Sequence, residues 1–103
     1  MTADLPALMP GDLVENVASG KRGMVLTKER YNAESRAVLL AAVTWDPRGN
    51  PFEVLLPVPL FGAAVLADVV NCCPRAHLQV LGAVPPQVLW QVLLKHRAML
   101  AHE

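Results

Sequence analysis

The chain has 103 residues, and its nine lysines and arginines are balanced by nine aspartates and glutamates. Hydrophobic residues make up 53% of the sequence and charged residues 17%, which excludes a disordered chain of low hydropathy and high charge. The neutral balance also argues against a protein that coats nucleic acid by bulk charge. This length predicts one domain, spanning residues 1–103.

Neither a membrane span nor a secretory leader is expected. The longest charge-free apolar stretch, residues 54–67, is interrupted by two prolines and a glycine, whereas a spanning helix needs about 20 apolar residues. Cys72 and Cys73 are adjacent and lack the spacing of a disulfide or a zinc site. We therefore expect two small buried residues in a reducing cytoplasm.

The first third of the chain predicts an extended arm followed by a hairpin. Residues 1–10 contain two prolines, and residues 12–28 carry two apolar runs around Ser19 and Gly20, which is typical of a tight turn. Residues 28–36 are polar and fit a loop or one helical turn. A β-hairpin is thus the first predicted unit.

The middle third is ambiguous in its first element. Residues 37–44 are rich in Ala and Leu, which favours a helix, but a short buried strand fits equally well. A long turn signal covers residues 46–51. Residues 52–56 predict a strand that pairs with residues 37–44 in a second hairpin.

The last third predicts two short strands and one helix. The strands cover residues 65–70 and 77–81, and the helix begins at the proline pair 85–86 and continues to about Leu100. If four apolar residues of this helix face the sheet, Trp90 and Leu94 are left over. They predict either a subunit or partner contact or a cleft of the same domain. Five to seven short strands with a terminal helix predict a small, strongly bent β-barrel.

The neutral total hides an uneven distribution of charge. Residues 21–48 contain six lysines and arginines against three acidic residues, a local net charge of +3. This excess fits either an ordinary solvated face or a binding site for a polyanion.

Three segments, in order along nearly the whole chain, resemble the MazF/PemK toxins of bacterial toxin–antitoxin modules. The first is Pro-Gly-Asp-Leu-Val at 10–14. The second is residues 20–44, with Met-Val-Leu-Thr at 24–27 and Tyr-Asn at 31–32. The third is Arg-Gly-Asn-Pro-Phe-Glu-Val at 48–54, followed by Leu-Ala-Asp at 66–68 and the terminal helix.

The resemblance implies an SH3-like barrel, a homodimer and a sequence-specific endoribonuclease that cleaves single-stranded RNA without a metal or cofactor. In this family the 2′-hydroxyl of the RNA is the nucleophile, and the products carry a 2′,3′-cyclic phosphate and a 5′-hydroxyl. The protein then needs only to stabilise the charged phosphorane and protonate the leaving oxygen, for which cations and hydroxyl donors suffice.

The family's catalytic threonine falls on Thr44, and its arginine falls on either Lys21 or Arg22. Ungapped counting selects Lys21, whereas a one-residue deletion selects Arg22, and the proline that follows the arginine in the family is absent in both alignments. We predict Arg22 as the catalytic cation, because a guanidinium matches phosphate geometry.

Four further residues are predicted to bind substrate. Lys21 would be a second phosphate contact, and an indole beside a cation suits the stacking of an unpaired base. The predicted substrate-binding residues are Lys21, Lys28, Trp45 and Arg48.

The resemblance also implies a partner, an antitoxin with an acidic, disordered tail that suits the local positive charge. Two alternatives share the fold but lack cleavage. One is a MazF-like protein whose catalysis is impaired, in keeping with the missing Arg-Pro pair. The other is a binding protein like the CcdB toxins, which poison DNA gyrase.

Overall fold

The computed structural model describes residues 5–57 and 62–101. The first four residues of the predicted arm, and residues 58–61 of the long apolar stretch, lie outside this description. Six strands and two α-helices follow in the order β1 Asp12–Asn16, β2 Arg22–Val25, α1 Glu29–Ser35, β3 Ala37–Thr44, β4 Glu53–Leu55, β5 Ala64–Pro74, β6 Leu78–Ala83 and α2 Pro86–Met99, with a 3-10 turn at Arg75–His77.

The six strands form one antiparallel sheet in the order β4-β5-β3-β2-β1-β6. The predicted class, a small β structure of five to seven strands with a C-terminal helix, is confirmed. The first strand pairs with the last, since Asp12 lies opposite Ala83, and the β1 register shifts between Leu13 and Val14. Such bulges sharpen the local bend of a strand.

The first hairpin is confirmed, with a short turn that is fixed by local hydrogen bonds. The side-chain oxygen of Asn16 accepts bonds from the backbone N–H groups of Ala18 and Ser19, at 3.0 and 3.3 Å. Gly20 has a φ of 75°, which a residue without Cβ adopts at little cost. The turn therefore returns the chain within residues 17–21.

Residues 37–44 form a strand rather than a helix. β3 lies between β2 and β5, and Val38, Leu40 and Ala41 are buried there, so tertiary pairing overrides the helix propensity of Ala and Leu. The preceding polar segment is a two-turn helix, α1, not a loop or a single turn. It ends at Arg36, whose φ of 54° is left-handed.

The predicted second hairpin is wrong. β4 does not pair with β3 but with β5, where Glu53 lies opposite Leu66, and β5 itself pairs with β3 over eight positions. β5 is longer than predicted, eleven residues, and so separates two strands that are neighbours in sequence. A turn signal such as that of residues 46–51 predicts that the chain reverses direction. It does not predict which strand the returning segment will pair with.

The apolar residues form two clusters. One contains Leu8, Val14, Val25, Val38, Leu40 and Leu78, and the other contains Met24, Ala41, Val54, Val65 and Ala67 together with Val88 and Val92 of α2. Helix α2 is further fixed by Lys95 Nζ, which donates to the Pro51 carbonyl at 2.6 Å. Removing apolar surface from water stabilises the folded state by about 25 cal/mol per Å². These clusters are therefore the main source of stability.

Two surface features complete the description. Trp90 and Leu94 on α2 are exposed, so of the two alternatives that the helix pattern left open, burial in a cleft of the same domain is wrong for the described structure. Cys72 is exposed and Cys73 is half-buried, so the expectation of two buried cysteines is wrong, because alternate residues of β5 face opposite sides. No helix among residues 5–57 and 62–101 is long and apolar enough to cross a membrane.

Candidate functional site

A groove of about 150 Å³ opens between the first hairpin, the end of β3 and the edge strand β6. Its walls are mainly apolar, and Arg22 is the one cation among the described residues that line it. The residues that line it are Leu13, Val14, Arg22, Gly23, Val43, Trp45, Leu81, Gly82 and Ala83. Strand pairing creates the groove, since Val14 of β1 lies opposite both Gly23 of β2 and Val80 of β6.

Arg22 is the first residue of β2, and two contacts fix its side chain. Its guanidinium carbon lies 5.6 Å from the centroid of the Trp45 ring, which is the range of a cation–π interaction. Its Nε donates to Glu15 Oε1 at 3.2 Å. The Arg22 side chain is still 41% exposed, so a ligand in the groove can reach it.

Thr44 ends β3 and lies next to Trp45 in the chain. Its Oγ1 accepts a bond from the backbone N–H of Asp46 at 3.1 Å, which fixes the chain as it leaves the strand. An accepting hydroxyl can still donate its own hydrogen. Thr44 therefore offers a hydroxyl donor, and it is the chain neighbour of Trp45, whose ring Arg22 contacts.

The other predicted cations lie outside the groove. Lys21 is exposed in the turn before β2, and Lys28 is the exposed residue that precedes α1. Arg48 pairs with Asp46, with 3.3 Å between Nη2 and Oδ2, and its backbone N–H donates to the carboxylate of Glu53. Of the six predicted site residues, the structure brings Arg22 and Trp45 together in the groove. Thr44 adjoins Trp45 in the chain but is not among the described residues that line the groove.

The sequence analysis missed Glu15 and the β6 wall. Leu81, Gly82 and Ala83 carry no reactive group, so no sequence pattern marks them as functional. Glu15 was detectable, because a hairpin with its turn at Ser19 and Gly20 places it opposite Arg22, as the register shows.

Comparison with solved structures finds the same fold over almost the whole chain. The chain is 30% identical to a chain in the MazE–MazF structure (Form-II) from Deinococcus radiodurans, with a TM-score of 0.85 over 97% of this chain and 100% of that one. An endoribonuclease from a mycobacterial species is 19% identical, with a TM-score of 0.81 over 93% of each chain.

A mycobacterial endoribonuclease in complex with its cognate antitoxin is 21% identical, with a TM-score of 0.74 over 93% of this chain and 100% of that chain. At this identity the two mycobacterial structures show the fold alone. No protein-family model and no curated protein matches the chain.

Proposed function

Because the chain belongs to the MazF family of toxins, we propose that it is an endoribonuclease that cleaves single-stranded RNA. The 2′-hydroxyl of the RNA attacks the adjacent phosphate, the bond to the 5′ oxygen breaks, and a 2′,3′-cyclic phosphate and a 5′-hydroxyl result. The observation that carries this proposal is the guanidinium of Arg22, which lies against an indole in an accessible groove.

Arg22 and Thr44 have complementary roles in the proposed reaction. The guanidinium of Arg22 binds the phosphate and stabilises the negative charge that grows on it in the transition state. The hydroxyl of Thr44 donates to a non-bridging oxygen and holds the phosphate in line with the 2′-hydroxyl. Removing one such donor typically lowers kcat by about 100-fold to 1,000-fold.

The apolar walls of the groove and the cations around it are proposed to bind the flanking nucleotides. The Trp45 ring is 53% exposed, so a base can stack on it, and stacking is worth about 1–3 kcal/mol per base. Lys21, Lys28 and Arg48 are exposed, and we propose that they contact more distant phosphates. Affinity should therefore fall with salt.

We propose a cognate antitoxin as the partner that inhibits this activity in the cytoplasm. The Deinococcus radiodurans relative was crystallised with MazE, and a mycobacterial relative with its cognate antitoxin. An acidic, disordered tail would suit the local charge of +3 over residues 21–48 and would compete with RNA for Arg22.

We further propose that the protein is a homodimer, and that α2 contributes to the interface. Trp90 is 63% exposed and Leu94 is 47% exposed, one helical turn apart on the face that the sheet does not cover. If two copies packed through α2, Trp90 and Leu94 of each copy would be buried, which makes four apolar side chains in all. We propose a contact between two copies of this chain because a twofold axis brings the same apolar pair of each copy together.

The proposed activity predicts that the purified protein cuts an unstructured RNA transcript in the presence of EDTA. The fragments should carry a 2′,3′-cyclic phosphate. Such an end resists alkaline phosphatase and blocks ligation of a 3′ adapter until acid followed by phosphatase, or the 3′-phosphatase activity of polynucleotide kinase, opens and removes the phosphate. Arg22→Ala and Thr44→Ala should each lower the cleavage rate at least 100-fold, because each removes a donor to the phosphate.

Two controls distinguish a loss of catalysis from a loss of folding or of positive charge. Arg30→Ala removes an exposed arginine that pairs with Glu34 on α1 and should leave the rate within about twofold. Circular dichroism should show the same secondary structure in all variants. Intact RNA at high excess of wild-type protein, over transcripts of many sequences, would contradict the activity and support a binding protein of the same fold.

A further inference from the structure

Glu15 is the one carboxylate that contacts the groove cation among the described residues. Glu15 and Arg22 are directly opposite each other on β1 and β2, so the hairpin register itself sets their separation. The Glu15 side chain is 29% exposed. Glu15 does not itself line the groove, but it contacts the cation that does. The pair is less exposed than the one between Arg30 and Glu34, whose side chains are 89% and 68% exposed.

The ion pair restricts how the guanidinium lies. Glu15 takes the Nε hydrogen of Arg22, and the face of the guanidinium lies against Trp45. The terminal nitrogens of Arg22 have no acceptor among the described residues, and they carry four of the five guanidinium hydrogens. Glu15 thus occupies the Nε of the planar guanidinium and leaves its two terminal nitrogens for a phosphate.

The same carboxylate opposes substrate binding. A phosphate on Arg22 would lie close to the negative charge of Glu15, and like charges at short range in a partly apolar groove repel each other. Glu15 therefore has two separable effects, one through its hydrogen bond and one through its charge. A residue that only stabilised the hairpin would have neither effect on the chemistry.

We propose that Glu15 is a positioning residue for RNA cleavage, which holds Arg22 on Trp45 in the orientation that receives the phosphate and weakens RNA binding by its charge. This inference rests on the proposed ribonuclease function. The free enzyme then holds the Arg22 cation already oriented for the phosphate, while the charge of Glu15 weakens the binding of RNA. This arrangement raises kcat rather than lowering KM.

Two variants separate the two effects in the full-length protein. Glu15→Ala removes both the hydrogen bond and the charge, so kcat should fall about tenfold while KM falls about threefold. Glu15→Gln keeps an acceptor of the same length and removes only the charge. Its KM should fall by the same factor while its kcat stays within about twofold of wild type, and this rescue distinguishes orientation from general stability.

The matched control is Glu34→Gln, which makes the same change of charge in an ion pair of similar length, 3.1 Å, outside the groove. Its KM and kcat should equal those of the wild type. Unchanged kcat in Glu15→Ala, or an equal loss of kcat in Glu15→Ala and Glu15→Gln, would overturn the positioning role. A KM change shared by Glu34→Gln would overturn the local charge effect.

A measurement without RNA makes failure of this proposal distinguishable from failure of the proposed function. In a Trp90→Phe background, Trp45 is the sole indole, and its fluorescence reports the guanidinium on its face. Glu15→Ala should shift the emission as much as Arg22→Ala does, and Glu34→Gln should leave it unchanged. An unshifted spectrum for Glu15→Ala overturns the positioning role even if the wild type cuts RNA. A shifted spectrum in a protein that leaves RNA intact supports the hold of Glu15 on Arg22 and overturns its role in cleavage together with the proposed function.

Discussion

At the scale of single residues, Asn32 shows how one buried amide connects distant parts of the chain. It is the one buried polar residue among those described. Its Nδ2 donates to the carbonyls of Leu8 at 2.7 Å and Thr27 at 2.9 Å, so it joins α1 to the N-terminal arm and to the end of β2. The asparagine of the Tyr-Asn pair at 31–32 therefore has a structural role, which is to hold the N-terminal arm against α1.

Asn32→Ala is expected to lower the free energy of unfolding by about 2–3 kcal/mol, because it leaves two carbonyl groups unpaired, each worth about 1 kcal/mol or more. Urea titration followed by circular dichroism measures the change. Asn71→Ala, at an exposed position of β5, is the control and should change stability by less than about 0.5 kcal/mol. Equal effects of the two substitutions would show that the bonds of Asn32 add nothing.

Single residues also show what the sequence can predict of the site. Arg22 is predicted from the family resemblance and the fit of a guanidinium to phosphate, and Trp45 from the ability of an indole to stack on a base. The structure places the guanidinium carbon 5.6 Å from the centroid of the ring. Leu81 and Gly82 were not predicted, because residues that form a groove wall need only a suitable size and position, and neither property gives a motif in the sequence. Of the two candidate cations, Arg22 lines the groove and pairs with Glu15 in the β1–β2 register, whereas Lys21 precedes β2.

At the scale of elements, β2 and β3 approach each other closely at Gly23. A Cβ on Gly23 would lie 3.0 Å from the Leu40 Cβ and 3.1 Å from the Ala41 carbonyl oxygen, and neither atom is the end of a flexible side chain. The residue after the groove arginine must therefore be small. This close approach brings Arg22 alongside the end of β3, where Trp45 follows.

Gly23→Ala is expected to destabilise the protein by about 1–3 kcal/mol, since the strands must separate to admit the methyl group. The Tm from a thermal scan measures the loss. Gly82→Ala makes the same change on β6, where the described residues leave the Cβ position open, and its Tm should stay the same or rise. A lower Tm for Gly82→Ala than for Gly23→Ala would contradict the packing argument.

Elements differ in how far the sequence predicts them. The first hairpin and α2 follow from local signals, a glycine turn and a proline start, and both are confirmed. The pairing of β4 with β5 does not follow, because β5 has partners on both sides and the choice is made by long-range burial of residues such as Val54 and Val65. Local patterns specify where a strand lies but not its neighbour.

At the scale of the whole molecule, the uncovered face of α2 predicts the oligomeric state. The double variant Trp90→Glu and Leu94→Glu should convert a dimer into a monomer, because four charges would meet in the proposed twofold interface. Sedimentation equilibrium at micromolar concentration measures the mass. Val80→Glu, which adds a charge to an exposed apolar residue of β6, should leave the dimer intact. A dimeric mass for the double variant would remove α2 from the interface.

The pairing of β1 with β6 has a consequence for the order of folding. Asp12 and Ala83 are partners, so the first of the six described strands to leave the ribosome can pair with β6 only after the other four have been made. Pairings between residues so distant in sequence form slowly, since the intervening chain must be ordered before the contact is gained. Because Leu81 to Ala83 form one wall of the groove, we expect the groove to be the last part of a newly made chain to take shape, after the hairpin that carries Arg22.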